Sequence, residues 1–286
     1  MELERFDRLQ RSFPAMYRQV FSDPTAPRTV VVVPSMSLDT HELAKIEGVL
    51  HYEERMLCLL MLLKLPRTEV VYVTSRTVDP AIVDYYLHLL PGIPAAHARS
   101  RLKMVTCEDS SLTPLTQKVL DRPWVVEAIR EAISFPGAAH MTCFNSTHLE
   151  RTLAVRLSLP LYAADPELAD IGTKSVGRRV LRDAGLSVPD GIEGISDADA
   201  LVEAVVELSS RNPMLETAIV KLNEGFSGEG NAVLDLRGVS ESASPRSEAK
   251  GRISHRLECV AADEVPERFL AKIERMGAII EAKITG

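Results

Sequence analysis

Apolar residues in the first half of the chain alternate between short unbroken runs and longer stretches with three- and four-residue spacing. The unbroken runs carry no polar alternation, which predicts strands that are buried on both faces. The spaced stretches between them predict helices long enough to cross over a sheet. The predicted strands are residues 29–33, 69–74, 102–107 and 140–144, and the predicted helices are residues 3–21, 53–65, 79–90, 115–133 with a break at Pro123, and 147–157. This order predicts an α/β domain whose parallel sheet is covered by helices on both faces.

The second half of the chain has a different pattern, in which turns as well as helices join the strands. The predicted elements are helices at residues 174–185, 197–209 and 266–275, and strands at residues 218–222, 231–236 and 278–284. Four apolar residues share one face of the first of these helices: Val176, Val180, Leu181 and Ala184. Residues 237–256 are rich in serine and charge, which predicts an exposed, mobile loop. We therefore divide the chain into a Rossmann-like domain at residues 1–169 and a second domain at residues 170–286.

Composition and charge narrow the kinds of partner that we expect. The 286 residues carry 33 Lys and Arg against 40 Asp and Glu, a net charge of −7, so no sequence-wide positive field exists to bind nucleic acid or a membrane surface. The longest apolar run, residues 56–63, is far shorter than the ~20 residues that cross a bilayer. The N-terminus lacks the apolar core of a signal peptide, and the four cysteines show no zinc-binding spacing. We expect a cytoplasmic protein without nucleic-acid or membrane partners.

A glycine-rich turn joins two of the predicted strands in the second domain. Gly225, Gly228 and Gly230 would let consecutive backbone N–H groups close over a phosphate without obstruction from Cβ atoms. Lys221 ends the strand before the turn, and Lys174 begins a helix, where a cation is unfavourable unless an anion binds as well. Together these residues indicate a polyphosphate site, although each has a plainer interpretation as part of a hairpin loop or as a solvated charge.

Polar residues cluster where the strands of the first domain end, which is the edge at which parallel sheets bind ligands. Ser35, Arg76 and Asn145 follow three of these strands. Their plainer interpretation is as turn and helix-capping residues, and the alternative is a doubly wound α/β enzyme that acts at these three side chains. No GxGxxG motif follows any of the strands, so dinucleotide binding is not expected.

Three segments of the second half resemble successive ATP-binding segments of the ATP-grasp superfamily. They are GTKSVGRRVLRDAGLSVPDG, IVKLNEGFSGEGNAVL and GAIIEAKITG, in this order and at suitable separations. The preceding domain is similar to the pre-ATP-grasp domain of these proteins, and the whole most resembles the bacterial peptide-ligase group of pheganomycin biosynthesis. The resemblance implies an α/β fold with a Rossmann-like pre-ATP-grasp domain, followed by the N-terminal (lid) part of an ATP-grasp fold. The insertion at residues 237–256 departs from simpler members, and its role stays open.

The resemblance also implies a role for each matching residue. Lys174 would contact the α-phosphate side of ATP, and Lys221 would contact the α- and β-phosphates. Glu281 would lie at the adenine amino group, with the backbone of Lys283 and Ile284 at the edge of the adenine ring. The mobile flap over the β- and γ-phosphates would be formed by Gly225, Ser227, Gly228 and Gly230.

Members of the superfamily join a carboxylate to an amine through an acyl phosphate, with ATP and Mg²⁺ as cofactors. The resemblance therefore implies a carboxylate–amine (peptide) ligase whose substrates are small-molecule or peptide carboxylates and amines. The sequence contains no recognisable metal motif, so we assign no catalytic or metal-binding residue. We expect the Mg²⁺ ligands beyond Gly286, and we expect this portion alone to be inactive. The alternative is a non-catalytic nucleotide- or metabolite-binding module, and the oligomeric state is open, a homo-oligomer included.

Overall fold

The computed structural model describes residues 1–38, 40–225, 230–262 and 264–284, without the side chains of Phe21, His41 and Glu42. The chain divides into two compact units, Met1–Glu167 and Leu168–Gly286. The helices of the first unit are α1 (Glu2–Ser22), α2 (Thr40–Ala44), α3 (Tyr52–Arg55), α4 (Pro80–His88), α5 (Ala95–Arg99), α6 (Leu115–Leu120), α7 (Pro123–Ala132) and α8 (His148–Leu157). Its strands are β1 (Arg28–Val33), β2 (Thr68–Thr74), β3 (Leu102–Thr106), β4 (Ala139–Cys143) and β5 (Leu161–Tyr162).

The first unit is built on a five-stranded parallel sheet with the order β3-β2-β1-β4-β5. All six residues of β1 are buried, because helices cover both faces of this central strand. Val31 and Val33 belong to the core that α7 and α8 complete, whereas Val30 and Val32 belong to the core on the opposite face, with α4. The predicted α/β class and its parallel sheet are confirmed.

The segment predicted as one helix at residues 53–65 differs in the structure. It forms the short helix α3 and then a 3₁₀ helix, Met56–Lys64. Leu57, Leu60 and Leu63 are the buried residues of the 3₁₀ helix, and their spacing of three matches its three residues per turn. The run is apolar on every side, so the helical period could not be told from the hydrophobic pattern alone.

The second unit is built on an antiparallel sheet with the order β6-β10-β7-β8-β9. Its helices are α9 (Lys174–Asp183), α10 (Ala198–Arg211), α11 (Pro245–Arg256) and α12 (Pro266–Met276). Its strands are β6 (Gly191–Ile195), β7 (Thr217–Leu222), β8 (Asn231–Asp235), β9 (Leu257–Cys259) and β10 (Ala278–Ala282). Ala218, Val220 and Leu222 alternate along β7 and share one core with residues of α10 and α12. The other face of β7 therefore carries Lys221 and Ile219.

The prediction that residues 237–256 form an exposed loop is wrong. Residues 245–256 form helix α11, which begins with Pro245 at a position that a helix start favours. Ala249 and Ile253 are buried in the same core as α10, and Val239 ahead of the helix is buried as well. Two apolar residues one turn apart were enough to anchor the helix, although the segment is too polar to show a hydrophobic repeat.

Strand β6 was not predicted, because its sequence contains two glycines, which are unfavourable in strands. One of them is required by the packing of the sheet. A Cβ atom on Gly191 would lie 2.4 Å from the carbonyl oxygen of Ile280 in the neighbouring β10. The glycine therefore permits a close approach of the two strands.

Within the described ranges, none of the helices combines the length and the apolar composition needed to cross a membrane.

Candidate functional site

Strands β7, β8 and β10 and helix α9 gather the predicted ATP-binding residues of the second unit. The register places Lys221 opposite Asn231 of β8 and Ile219 opposite both Val233 of β8 and Glu281 of β10. Since neighbours in register lie on the same face of a sheet, these residues share the face that points away from the core. Ile219 and Val233 are half-buried, so this face offers an apolar floor next to the charged residues.

Glu281 lies between two cations. Its carboxylate accepts a hydrogen bond of 2.6 Å from Nη1 of Arg178 and contacts the ammonium of Lys221. Arg178 and Glu281 are both only 7% exposed, so this ion pair is shielded from water. The predicted adenine contact and the predicted phosphate-binding lysine are therefore brought together, and a buried arginine that the sequence did not assign holds the carboxylate.

The other nitrogen atoms of the Arg178 guanidinium also donate hydrogen bonds. Nε donates to a carboxylate oxygen of Glu193 at 2.9 Å, and Nη2 donates to the carbonyl oxygen of Pro189 at 2.7 Å. Burial raises the pKa of Glu193, but hydrogen bonds and charge from Arg178 and Arg182 outweigh it and hold this pKa below its ordinary value. Both carboxylates are thus partners of one buried guanidinium.

The apolar residues that share one face of α9 do not face the sheet. Val180 and Leu181 are each 45% exposed and Ala184 is also exposed, whereas Ser175 and Arg178 are the buried residues of the helix. The helix turns its polar side toward the sheet because ion pairs and hydrogen bonds, rather than apolar contacts, join it to β6 and β10. A hydrophobic pattern cannot predict a contact of this kind.

Lys174 lies at the base of the hairpin between β7 and β8. Its ammonium donates to the carbonyl oxygens of Leu222 at 2.7 Å and Gly225 at 2.6 Å. Burial, together with the positive charge of Lys221, lowers the pKa of Lys174. The positive charge of Lys221 therefore acts on Lys174, while the carboxylate of Glu281 is the anion that contacts Lys221.

Gly225 and Gly230 form the neck of the hairpin. A Cβ atom on Gly225 would lie 2.6 Å from the Cα atom of Gly230, and a Cβ on Gly230 would lie equally close to Gly225. Both positions require glycine because backbone faces backbone here. Ser227 and Gly228, the other predicted flap residues, lie outside the described residues, together with Phe226 and Glu229.

The neck makes a testable prediction about stability. Gly225→Ala should lower the free energy of unfolding by about 1–3 kcal/mol, because the methyl group overlaps backbone that must move. Gly172→Ala is the matched control, since a Cβ at Gly172 meets no atom within 4 Å, and it should change stability by less than about 1 kcal/mol. Urea unfolding of both variants measures the difference, and equal stabilities would contradict the tight neck.

Asn223 joins three parts of the site and was missed by sequence reasoning. Its side-chain oxygen accepts hydrogen bonds from the backbone N–H of Ser175 at 3.0 Å and from the Ser175 hydroxyl at 2.8 Å. Its own N–H donates to the carbonyl oxygen of Gly277 at 3.0 Å, and its carbonyl accepts from the N–H of Lys174. The signal available in the sequence was an asparagine directly before the glycine-rich turn.

The two remaining predicted residues follow β10. The backbone N–H of Lys283 donates to the carbonyl oxygen of Thr217 at 3.1 Å, so it continues the sheet ladder with β7. Ile284 is 74% exposed. The structure therefore places Lys283 beside the same sheet face as Glu281, and Ile284 at an open position past the end of the strand.

The three side chains of the alternative site in the first unit have structural partners. The Ser35 hydroxyl is buried, bonds with the Ser37 hydroxyl at 2.8 Å and accepts the N–H of Thr116 at 3.1 Å. The amide of Asn145 holds the backbone of Ser37, accepting its N–H at 2.9 Å and donating to its carbonyl at 3.1 Å. Arg76 instead contacts the ring of His51. These contacts agree with the plainer interpretation as turn residues.

In the part of the chain that the structure describes, no three or more His, Cys, Asp or Glu side chains lie together in a way that could hold a metal ion. No described residue is therefore assigned to Mg²⁺. The lysines, the glycine neck and the carboxylate of Glu281 do fit a nucleotide, because they combine cations, bare backbone and a hydrogen-bond acceptor.

Residues 166–283 match the family model described as IQCH-like, ATP-grasp. The antiparallel sheet of the second unit, Lys174, Lys221 and the glycine neck lie within this match. The second unit is thus similar to ATP-grasp domains of the IQCH-like kind, and the predicted resemblance to the ATP-grasp superfamily is confirmed.

The chain is similar to two curated proteins along most of its length. It is 27% identical over 266 residues to L-propargylglycine--L-glutamate ligase of Streptantibioticus cattleyicolor. The aligned region covers 88% of this chain and 52% of the ligase. It is 23% identical over 252 residues to IQ motif-containing protein H of Danio rerio. This aligned region covers 82% of this chain and 23% of that protein. The chain therefore spans about half the length of the ligase and about a quarter of the second relative.

Proposed function

We propose that the second unit binds ATP and that this ATP drives the joining of a carboxylate to an amine. The observation that carries the proposal is the position of Lys174 at the hairpin neck of Gly225 and Gly230, where only glycine fits, with Lys221 on the strand that leads into this hairpin. The similarity to a ligase named for joining two amino acids supports the choice of reaction.

Each residue of the site has a defined task in this proposal. Lys174 and Lys221 attract the phosphates as point charges, and the bare backbone of the hairpin supplies N–H donors. Glu281 accepts a hydrogen bond from the amino group of adenine, while Ile219 and Val233 provide an apolar surface for the ring. Arg178 positions Glu281 and does not touch the nucleotide.

ATP would supply the phosphoryl group that converts a carboxylate into an acyl phosphate, which the amine attacks with release of phosphate. Positively charged groups assist such a transfer by stabilising the negative charge on the phosphoryl oxygens. In this proposal Lys174 and Lys221 take that role.

The proposal predicts the effect of removing one lysine. Lys221→Met should weaken ATP binding by about tenfold or more, the loss expected for a hydrogen bond to a charged group. Lys250→Met is the matched control, because Lys250 is exposed on α11, away from the hairpin neck. The affinity of this variant for ATP should equal that of the parent protein. Isothermal titration calorimetry with ATP measures both, and equal affinities of Lys221→Met and the parent protein would refute the phosphate site.

A second candidate is a nucleotide-binding module without ligase activity. The similarity to IQ motif-containing protein H favours it, because that name states no reaction. Both candidates require ATP binding, so the distinguishing measurement is product formation by the full natural protein. Release of ADP that depends on a carboxylate, together with trapping of an acyl phosphate by hydroxylamine, supports the ligase. Binding of ATP without either product across a panel of amino acids supports the binding module.

A further inference from the structure

The first unit contains an apolar cavity that the proposed ATP site does not involve. It has a volume of about 420 Å³ and lies over the sheet face that carries Val30 and His140. Met16 and Val20 of α1 form one wall, and Leu62 of the 3₁₀ helix belongs to the other. A cavity of this size is within the range of small-molecule sites, which are apolar and carry few polar groups.

A buried arginine supplies the charge of this cavity. Arg28 is only 5% exposed, and its Nη2 donates to the carbonyl oxygens of Val20 and Asp23, each at 3.1 Å. Its Nε donates to the carbonyl oxygen of Ala26 at 3.3 Å. No acceptor among the described residues bonds to Nη1, and Arg28 lines the cavity. The guanidinium thus presents unused N–H groups in an apolar setting, where a hydrogen bond to an anion is strong.

His140 is a further polar residue of the cavity, whose lining also includes the hydroxyl-bearing side chains of Tyr17, Thr68, Thr142 and Tyr162. Its ring packs against Phe13 and Tyr162, with ring centroids 5.7 Å and 6.1 Å away, and it has no hydrogen bond to any described residue. Burial, with a smaller contribution from the charge of Arg28, lowers the pKa of His140 to about 4. The imidazole is therefore neutral at neutral pH and can still donate one hydrogen bond.

No carboxylate lines the cavity among the described residues, so the charge of Arg28 is not balanced inside it. A ligand with an apolar body and one negative charge matches this arrangement. A zwitterionic amino acid matches less well, because its ammonium group would enter an apolar space that offers no acid. An uncharged alcohol would leave Nη1 without an anionic acceptor, since Asp23, whose charge also acts on Arg28, does not line the cavity.

We propose that this cavity binds a hydrophobic monocarboxylate, of the arylalkanoate or medium-chain alkanoate class. The apolar body lies between α1 and the 3₁₀ helix, and the carboxylate accepts hydrogen bonds from Nη1 of Arg28 and from His140. The site belongs to the first unit alone, so it stands independently of the ATP site in the second unit.

The test compares three probes of equal size, 3-phenylpropionate, 3-phenylpropanol and 3-phenylpropylamine, by isothermal titration calorimetry with the full chain. The carboxylate should bind with a dissociation constant at or below the millimolar range, and at least about tenfold more tightly than the alcohol or the amine, as expected for a charge-assisted bond. Equal affinities for all three, or no binding of the carboxylate at millimolar concentration, would overturn the proposal.

Two variants test whether the ligand binds in the cavity. Arg28→Met should weaken binding of the carboxylate probe by about tenfold or more and leave binding of the alcohol unchanged. Arg67→Met, which removes an exposed arginine, should change the affinity for neither probe. Since Arg28→Met removes bonds that also close the end of α1, Leu62→Trp serves as a second variant that fills the cavity. It should abolish binding of every probe, and undiminished binding to Leu62→Trp would place the ligand elsewhere.

Discussion

Replacing Arg178 with methionine should lower the free energy of unfolding of the second unit by about 3 kcal/mol, because the loss of one partner from a buried ion pair leaves a charge without compensation. Methionine preserves much of the apolar stem but none of the donors. Glu281 would keep only the contact with Lys221, and Glu193 would keep only the contact with the more exposed Arg182. The carbonyl oxygen of Pro189 would lose a partner as well.

Arg182→Met is the matched control for this experiment. Arg182 belongs to the same helix and bonds to the same carboxylate of Glu193 at 3.0 Å, but its side chain is 50% exposed. Exposed ion pairs contribute little to stability, so Arg182→Met should lower the free energy of unfolding by less than about 1 kcal/mol. Equal losses for the two variants would mean that burial of the Arg178 network does not contribute to stability.

The measurement must separate the two units. Trp124, the single tryptophan, belongs to α7 in the first unit, so its fluorescence follows that unit. Hydrogen exchange of the amides in β7 and β10 follows the second unit. Arg178→Met should accelerate exchange in those strands and leave the unfolding transition of Trp124 unchanged.

Acid should destabilise the first unit between about pH 6.5 and pH 4. The pKa of His140 is about 4 in the folded protein, lowered from 6.5 by burial and then by the charge of Arg28. Between these values the unfolded chain binds a proton that the folded chain does not, so the contribution of His140 to stability is intact above pH 6.5, falls as the pH decreases and is fully lost below pH 4. The shift corresponds to a loss of up to about 3 kcal/mol.

His140→Phe tests this pH dependence. Phenylalanine retains an aromatic ring beside Phe13 and Tyr162 but cannot titrate. Urea unfolding followed by Trp124 fluorescence should give a smaller loss of stability between pH 6.5 and pH 4 for this variant than for the parent protein. His97→Phe replaces an exposed histidine and should retain the parent pH profile. An unchanged profile for His140→Phe would show that other groups cause the acid sensitivity.

The elements that the sequence predicted best are those whose pattern directly reflects burial. The valines of β1 lie in the centre of a sheet covered on both faces, so their unbroken run is a direct consequence of their surroundings. Asp79 and Thr147 were recognisable as boundary residues because they cap α4 and α8 with their own side chains. Helix α11 was missed because two buried residues in a polar segment leave no repeat.

The candidate site was predictable only in its local parts. The spacing of Gly225 and Gly230 indicated a hairpin neck, and the structure explains it by the close approach of their backbones. The partnership of Arg178 with Glu281 could not be predicted, because the two residues are 103 positions apart. The cavity of the first unit was equally invisible, since the elements that enclose it each look like ordinary core.

The order of the second sheet has a consequence for how this unit is synthesised and folds. Among the five described strands of this sheet, β10 comes last in sequence order, yet it lies between β6 and β7 and pairs with both. Until residues 278–282 leave the ribosome, β6 has no neighbour and β7 exposes an unpaired edge. The hairpin of β7 and β8 can form early, but the sheet closes only after translation of its final strand, and the nascent chain must avoid mispairing for that interval.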